Sequence, residues 1–118
     1  MRTVAILLVV VAILAAGCGL FDPDADKVQI KYTVTGSCSQ VDITMENEDG
    51  GVSQYSNRSV PWTYEFPDKI SRDRFLYISA QNQGQTGSVT VKIYRDGDVI
   101  KSSTSSGAYV IATASGTS

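Results

Sequence analysis

No histidine occurs anywhere in the 118 residues. That absence removes Ser-His-Asp and Cys-His nucleophilic machinery and every metal site that depends on imidazole. Cysteine is nearly as scarce, with Cys18 and Cys38 the only two. Lys and Arg total ten against twelve Asp and Glu, so no basic excess offers a footprint for nucleic acid. Nor does any apolar run approach the roughly 20 residues that a membrane-spanning helix needs. After residue 26 no segment repeats its apolar residues at helical spacing, so an α-helical core is excluded as well.

The first residues differ in composition from the rest of the chain. Arg2 gives a short positive start, and Val4 to Ala16 is the unbroken apolar run VAILLVVVAILAA. Its length suits the apolar region of a signal peptide. Small residues then lead directly to a thiol: Ala15, Ala16, Gly17, Cys18. This resembles the bacterial lipobox, where a diacylglyceryl group is joined to the cysteine and the chain is cut just before it. Extended backbone binding by the peptidase requires small side chains, and the thiol is the lipid acceptor. The lipobox usually has Leu three residues before the cysteine, where this chain has Ala15 and places Leu14 one earlier. Residues 1–17 are therefore expected to be a lipoprotein signal peptide, cleaved between Gly17 and Cys18.

Several acyl chains on Cys18 would hold the mature protein to the outer face of the cytoplasmic membrane. Loss of Arg2 with the signal leaves nine basic against twelve acidic residues, so anionic lipid is not the attraction. Residues 18–26 form the lipidated cysteine and a tether; three aspartates and Pro23 oppose regular structure in Gly19 to Asp26. Eight residues at ~3.3 Å each reach about 26 Å, which keeps the domain close to the bilayer. Cys38 then has no internal partner. It can be a free thiol, an intermolecular bridge or a small buried hydrophobe, and the last suits a chain without an activating histidine.

Residues 27–118 alternate with period two. Val28, Ile30, Tyr32 and Val34 are one set, and Val41, Ile43 and Met45 another. Each predicts a strand with one apolar and one wet face. Further strands are expected at about 52–60, at the short edge piece 62–66 after Pro61, and at 74–81, 89–94, 99–102 and 108–114. Residues 47–51 and 95–98 read as turns, and 104–107 as a polar loop. The predicted fold is all-β, an immunoglobulin-like β-sandwich of about seven strands.

No catalytic constellation, metal set or cofactor motif emerges. Asn47, Glu48 and Asp49 lack the EF-hand spacing and read as a solvated hairpin tip. Asp96 and Asp98 flank Gly97 for turn geometry. Asp42 and Glu46 share a strand face, but a chain this short hardly builds the cleft that paired carboxylates need for glycoside hydrolysis. Arg72-Asp73-Arg74 reads as a charged loop. The large side chains that remain are Tyr55, Trp62, Tyr64, Tyr77, Tyr94 and Tyr109, some of which must fill the core. Val60-Pro61-Trp62 is the candidate partner-binding segment, because Pro61 breaks strand pairing and Trp62 suits either a core plug or a contact.

Four stretches together resemble the MmpS family of actinobacterial transport accessory proteins. They are YTVTGS (Tyr32 to Ser37), VPW (Val60 to Trp62), ISAQ (Ile78 to Gln81) and GSVTVKIYRDGDVIKSSTSSGAYVIATASG (Gly87 to Gly116). The resemblance implies a β-sandwich outside the membrane, working beside MmpL exporters of the resistance-nodulation-division class that move lipids, siderophores or drugs. Two features depart from it. Family members commonly have a transmembrane helix where this chain has a lipobox. They also commonly carry a cysteine pair at the positions of Val91 and Ala114, both of which fall here on apolar faces. The expected function is thus a non-enzymatic, lipid-anchored accessory protein. The alternatives are a lipid- or small-hydrophobe-binding envelope lipoprotein and a structural protein of the cell wall.

Overall fold

The computed structural model describes residues 26–118. They form ten strands: β1 (Lys27–Val28), β2 (Ile30–Gly36), β3 (Gln40–Glu46), β4 (Val52–Ser59), β5 (Trp62–Glu65), β6 (Ile70–Ser71), β7 (Phe75–Asn82), β8 (Ser88–Arg95), β9 (Asp98–Ser106) and β10 (Ile111–Thr117). Two four-stranded sheets, ordered β10-β7-β3-β4 and β5-β2-β8-β9, are packed on each other, and β1 pairs with β6 in a small ribbon. All pairings are antiparallel. This is the β-sandwich that the alternation predicts, put there at about seven strands; its two sheets hold eight, one for each segment named above.

Period two explains the core. Val28, Ile30, Tyr32 and Val34, then Val41, Ile43 and Met45, are all buried, as are Leu76, Ile78, Ala80, Val89, Val91, Ile93, Ala112 and Ala114. Burial of each Val, Ile, Leu or Met side chain is worth about 1.5–3 kcal/mol, and these residues supply the main term holding the sheets together. Gly36 has φ +149°, and a Cβ there would lie 2.1 Å from the Ser88 carbonyl oxygen. The end of β2 can therefore approach β8 only without a side chain. Cys38 is buried beside this crossing, as a small hydrophobe in a packed wall.

The far edge corrects two boundaries. Residues 104–107 were expected as a loop, yet β9 runs on to Ser106, with Thr104 opposite Thr90 and their hydroxyls 2.7 Å apart. Polar residues suit this strand because one face meets solvent. The last strand begins at Ile111 rather than Ala108, since the chain turns at Gly107–Val110 with Tyr109 at φ 55°.

Side-chain size gives the sandwich a wedge-like section. The sheets approach most closely where β8 and β9 meet β10 and where β7 meets β8. Small residues permit this: a Cβ on Gly116 would already sit 3.0 Å from Cγ of Lys101, and the Ser105 hydroxyl donates to the Ile111 carbonyl at 2.9 Å. On the opposite side, β4 and β5 are the free edges of the two sheets, and large rings fill the space between them.

Candidate functional site

The inner faces of β4 and β5 carry the most distinctive side-chain group among the described residues. Trp62 lies opposite Val34 and Tyr64 opposite Tyr32, and directly paired antiparallel residues share a face, so both rings point inward. Tyr55, opposite Ile43, does the same from β4. The three rings meet at centroid separations of 5.4 Å for Tyr55–Trp62, 6.3 Å for Trp62–Tyr64 and 6.5 Å for Tyr55–Tyr64. Phe66 continues the series to buried Tyr32, at 6.1 Å from Tyr64 and 5.5 Å from Tyr32. Such contacts add about 0.5–1.5 kcal/mol per pair beyond area burial.

A bulge re-aims the end of β4. Val41 pairs with Arg58 but Ile43 with Tyr55, so β4 holds an extra residue against β3. Asn57 there has φ 53°, and its N–H donates to Asp42 Oδ1 at 2.9 Å. Asp42 is thus a bulge clamp. The shift places Arg58 on the side of Tyr55, its guanidinium 5.3 Å from the ring centroid. The cation sits over the negative face of the ring.

The other end of the ring cluster is fixed by the β3–β4 turn. Asn47 Oδ1 accepts from the N–H groups of Asp49 and Gly51, and its amide nitrogen donates to the Ser53 hydroxyl. That closed turn projects Glu48 toward β5, where the Tyr64 hydroxyl donates to its carboxylate. The hydrogen bond to Glu48 is the main reason the Tyr64 phenol is pushed up to about 12, with burial second. Tyr32 is held above the usual tyrosine range mainly by burial, and its hydroxyl donates to the Glu46 carbonyl at 2.8 Å. Arg74 donates to the Glu48 carbonyl at 2.7 Å and to that of Asn47 at 3.4 Å. The tip read from sequence as solvated is therefore held at Asn47 and Glu48 from β5 and from Arg74 just before β7, while Gly50 and Gly51 stay exposed.

Of the predicted site residues, Gly17 and Cys18 lie outside the described residues. Val60, Pro61 and Trp62 form the corner between β4 and β5, with a cis Val60–Pro61 peptide bond. Pro61 is exposed, while Val60 and Trp62 are half-buried against the core. Trp62 is thus neither a sealed plug nor a free ring: one part packs on Tyr55 and Tyr64 and the rest faces solvent. Tyr55, Tyr64, Arg58 and Glu48 belong to the same site but were not singled out as its members. The Trp62/Tyr64 spacing of two could have marked a shared face; Glu48, sixteen residues from Tyr64, carried no such mark.

Asn82 is fully buried and holds the far end together. Its amide donates to the carbonyls of Thr86 and Gly107, and its Oδ1 accepts from Gly84 N–H. A surface cavity of about 510 Å³ is lined by Lys27, Gln29, Pro67, Asp68 and Lys69. Its polar, charged wall is not the apolar pocket that a carrier of lipid-like molecules requires. Among the described residues no group of three or more Cys, Asp or Glu side chains is placed to hold a metal. No protein-family model matches the chain, and no curated protein is significantly similar to it.

Proposed function

We propose that the protein is a non-enzymatic, lipid-anchored accessory protein of the cell envelope, which acts by docking a partner on its β4–β5 edge. The half-buried Tyr55–Trp62–Tyr64 cluster beside the exposed Pro61 corner carries this reading. Trp and Tyr are the residues most enriched among interface hot spots, and here the core and Glu48 hold them rigidly, so little ordering cost falls on binding. Two free sheet edges flank the cluster, and their unpaired backbone groups are available to a partner. The resemblance to MmpS proteins supplies the class of partner, an MmpL-type exporter of lipids, siderophores or drugs. The signal and lipobox pattern ending at Cys18 supplies the location, the outer face of the cytoplasmic membrane.

The experiment is crosslinking in the native cell from a photoreactive residue at Pro61, which is exposed and outside the ring cluster. An MmpL-type exporter in the crosslinked band, lost when Trp62→Ala and Tyr55→Ala are combined, is the expected result. Repeated capture without any such exporter would sink the accessory reading. Fatty-acid labelling that disappears in Cys18→Ala checks the anchor separately, and persistence of the label in that variant would refute it.

A further inference from the structure

We propose that the tethered end of the sandwich rests on the lipid bilayer itself, through exposed Val52, Phe75 and Val99. The proposal depends on the lipid-anchor reading of Cys18 and adds to it a second, non-covalent contact.

One end of the domain gathers the start of the described chain with several loops. β1 pairs with β6, and Arg72 N–H donates to the Asp26 carbonyl. Gln29 and Asp96 exchange hydrogen bonds, which brings the β8–β9 turn to the same place. Arg74 ties in the β3–β4 turn through the Glu48 carbonyl. Of the five large apolar side chains well exposed among the described residues, three flank these loops: Val52 at 61%, Phe75 at 58% and Val99 at 47%. Each stands at or near the start of a strand leading away from this end. The other two, Tyr109 and Ile111, lie at the opposite end, around the β9–β10 turn.

The three have neighbours suited to an interface. Phase along the outer face of β7 puts Phe75 beside Tyr77, their centroids 6.3 Å apart. Tyr77 and Val52 occupy one row across that sheet, on either side of Glu46, by the register of β7 and β4 with β3. On the other sheet Val99 lies opposite Tyr94, whose ring has Lys31 Nζ 4.4 Å from its centroid. Tyrosines and lysine stems around apolar side chains are typical of the headgroup level of membranes.

Tether length selects lipid over a protein as the occupant. Only residues 19–25 separate Cys18 from Asp26, and seven residues at ~3.3 Å each span at most about 23 Å. A lipidated Cys18 therefore holds this end, and not the Pro61 corner, against the headgroups. β4 ends level with the start of β3, opposite Gln40, so Val60–Pro61–Trp62 lies at the end of β3 away from the 47–51 turn. The loops of this end carry Glu48, Asp49, Asp68, Asp73, Asp96 and Asp98 against fewer Lys and Arg, so no basic excess draws it to anionic lipid. The contact is accordingly apolar and indifferent to anionic lipid.

The test uses the full lipidated chain with Cys38→Ala, Cys18 being blocked by its thioether. Single variants Val52→Cys, Phe75→Cys, Val99→Cys, Tyr109→Cys and Ile111→Cys carry a polarity-sensitive fluorophore in phosphatidylcholine vesicles, with or without doxyl-labelled lipid. Interfacial apolar groups sit about 5–10 Å into the headgroup and acyl boundary, so the first three should lose about half their emission and the last two little. Adding phosphatidylglycerol should not change the pattern. Equal quenching at both ends, or none at the tethered end, overturns the proposal. So does shielding that arises only when an exporter is added. Intact mass and flotation separate the two readings: an acylated, floating protein without selective quenching removes the contact alone. A chain that carries no lipid removes the anchor and the contact together.

Discussion

The Tyr64 hydroxyl lies 2.9 and 3.0 Å from the two carboxylate oxygens of Glu48, joining the edge of one sheet to the turn that ends the other. Neither residue contacts the other along a strand; the bond spans the open side of the wedge. Tyr64→Phe keeps the ring and removes only the hydroxyl. It should cost about 1 kcal/mol or less in a urea melt, since Glu48 can turn to water. Glu48→Gln should cost no more than that. The double variant should be nearly as stable as either single one, and strictly additive losses would show that the two groups act independently.

Alkaline pH tests the same bond from the proton side. The phenol of Tyr64 rises from an ordinary 10.0 to about 12 in the folded protein. A phenol raised on folding contributes stability that is complete below the unfolded value and is lost as pH rises through the folded one. Stability should therefore fall between about pH 10 and pH 12. Tyr32, also raised, adds to the same fall. Urea midpoints measured from pH 8 to pH 12 should decline less steeply in Tyr64→Phe than in the parent, and identical slopes would contradict the assignment.

Asn82 gives the largest expected single loss outside the apolar core. Asn82→Leu leaves the carbonyls of Thr86 and Gly107 and the N–H of Gly84 without their partner. Unmade bonds to buried groups cost about 1–3 kcal/mol, and a total of about 2–4 kcal/mol is expected from thermal or urea melts. Asn82→Asp is the sharper probe. A carboxylate facing two carbonyls is disfavoured, so its pKa should rise on folding. Relative to the parent, the aspartate variant should be less destabilised at pH 4 than at pH 7. The opposite order would mean that these hydrogen bonds are not what fixes the loop.

The cysteine pair implied by the MmpS resemblance can be introduced. Val91 and Ala114 face the interior from opposite sheets, on strands β8 and β10, which approach one another across it. Val91→Cys with Ala114→Cys, made with Cys38→Ala, should form a disulfide in an oxidising compartment. Such a bridge needs Cα atoms roughly 4.4–6.8 Å apart. Closing a loop of about 22 residues is worth up to ~3 kcal/mol where strain is small. Two titratable thiols under oxidising conditions would show that the resemblance misplaces these positions.

Much of this fold could be read directly from residue order. Alternation in β2, β3, β7 and β8 fixes which face of each strand is buried, because a side-chain period of two leaves one apolar face to hide. It succeeds with Val28, Ile30, Tyr32 and Val34 residue by residue. It fails at Thr104 to Ser106, where polar side chains on an edge strand look like a loop although β8 supplies the hydrogen bonds that make a strand. Residue order alone also rules out histidine chemistry, since no arrangement in space restores a missing side chain. It placed the corner at Pro61, whose ring breaks a strand wherever it falls. Which distant groups meet was settled only by the packing of the sheets. Glu48 reaches Tyr64 because a closed Asn47 turn aims it across the mouth of the sandwich. Arg58 reaches Tyr55 because a bulge clamped by Asp42 inserts one residue and reverses the facing of the strand beyond it. The gathering of Val52, Phe75 and Val99 at the end where β2 begins comes from the antiparallel return of β4, β7 and β9. Each depends on register and sheet packing, set by long-range pairing that local periodicity does not encode.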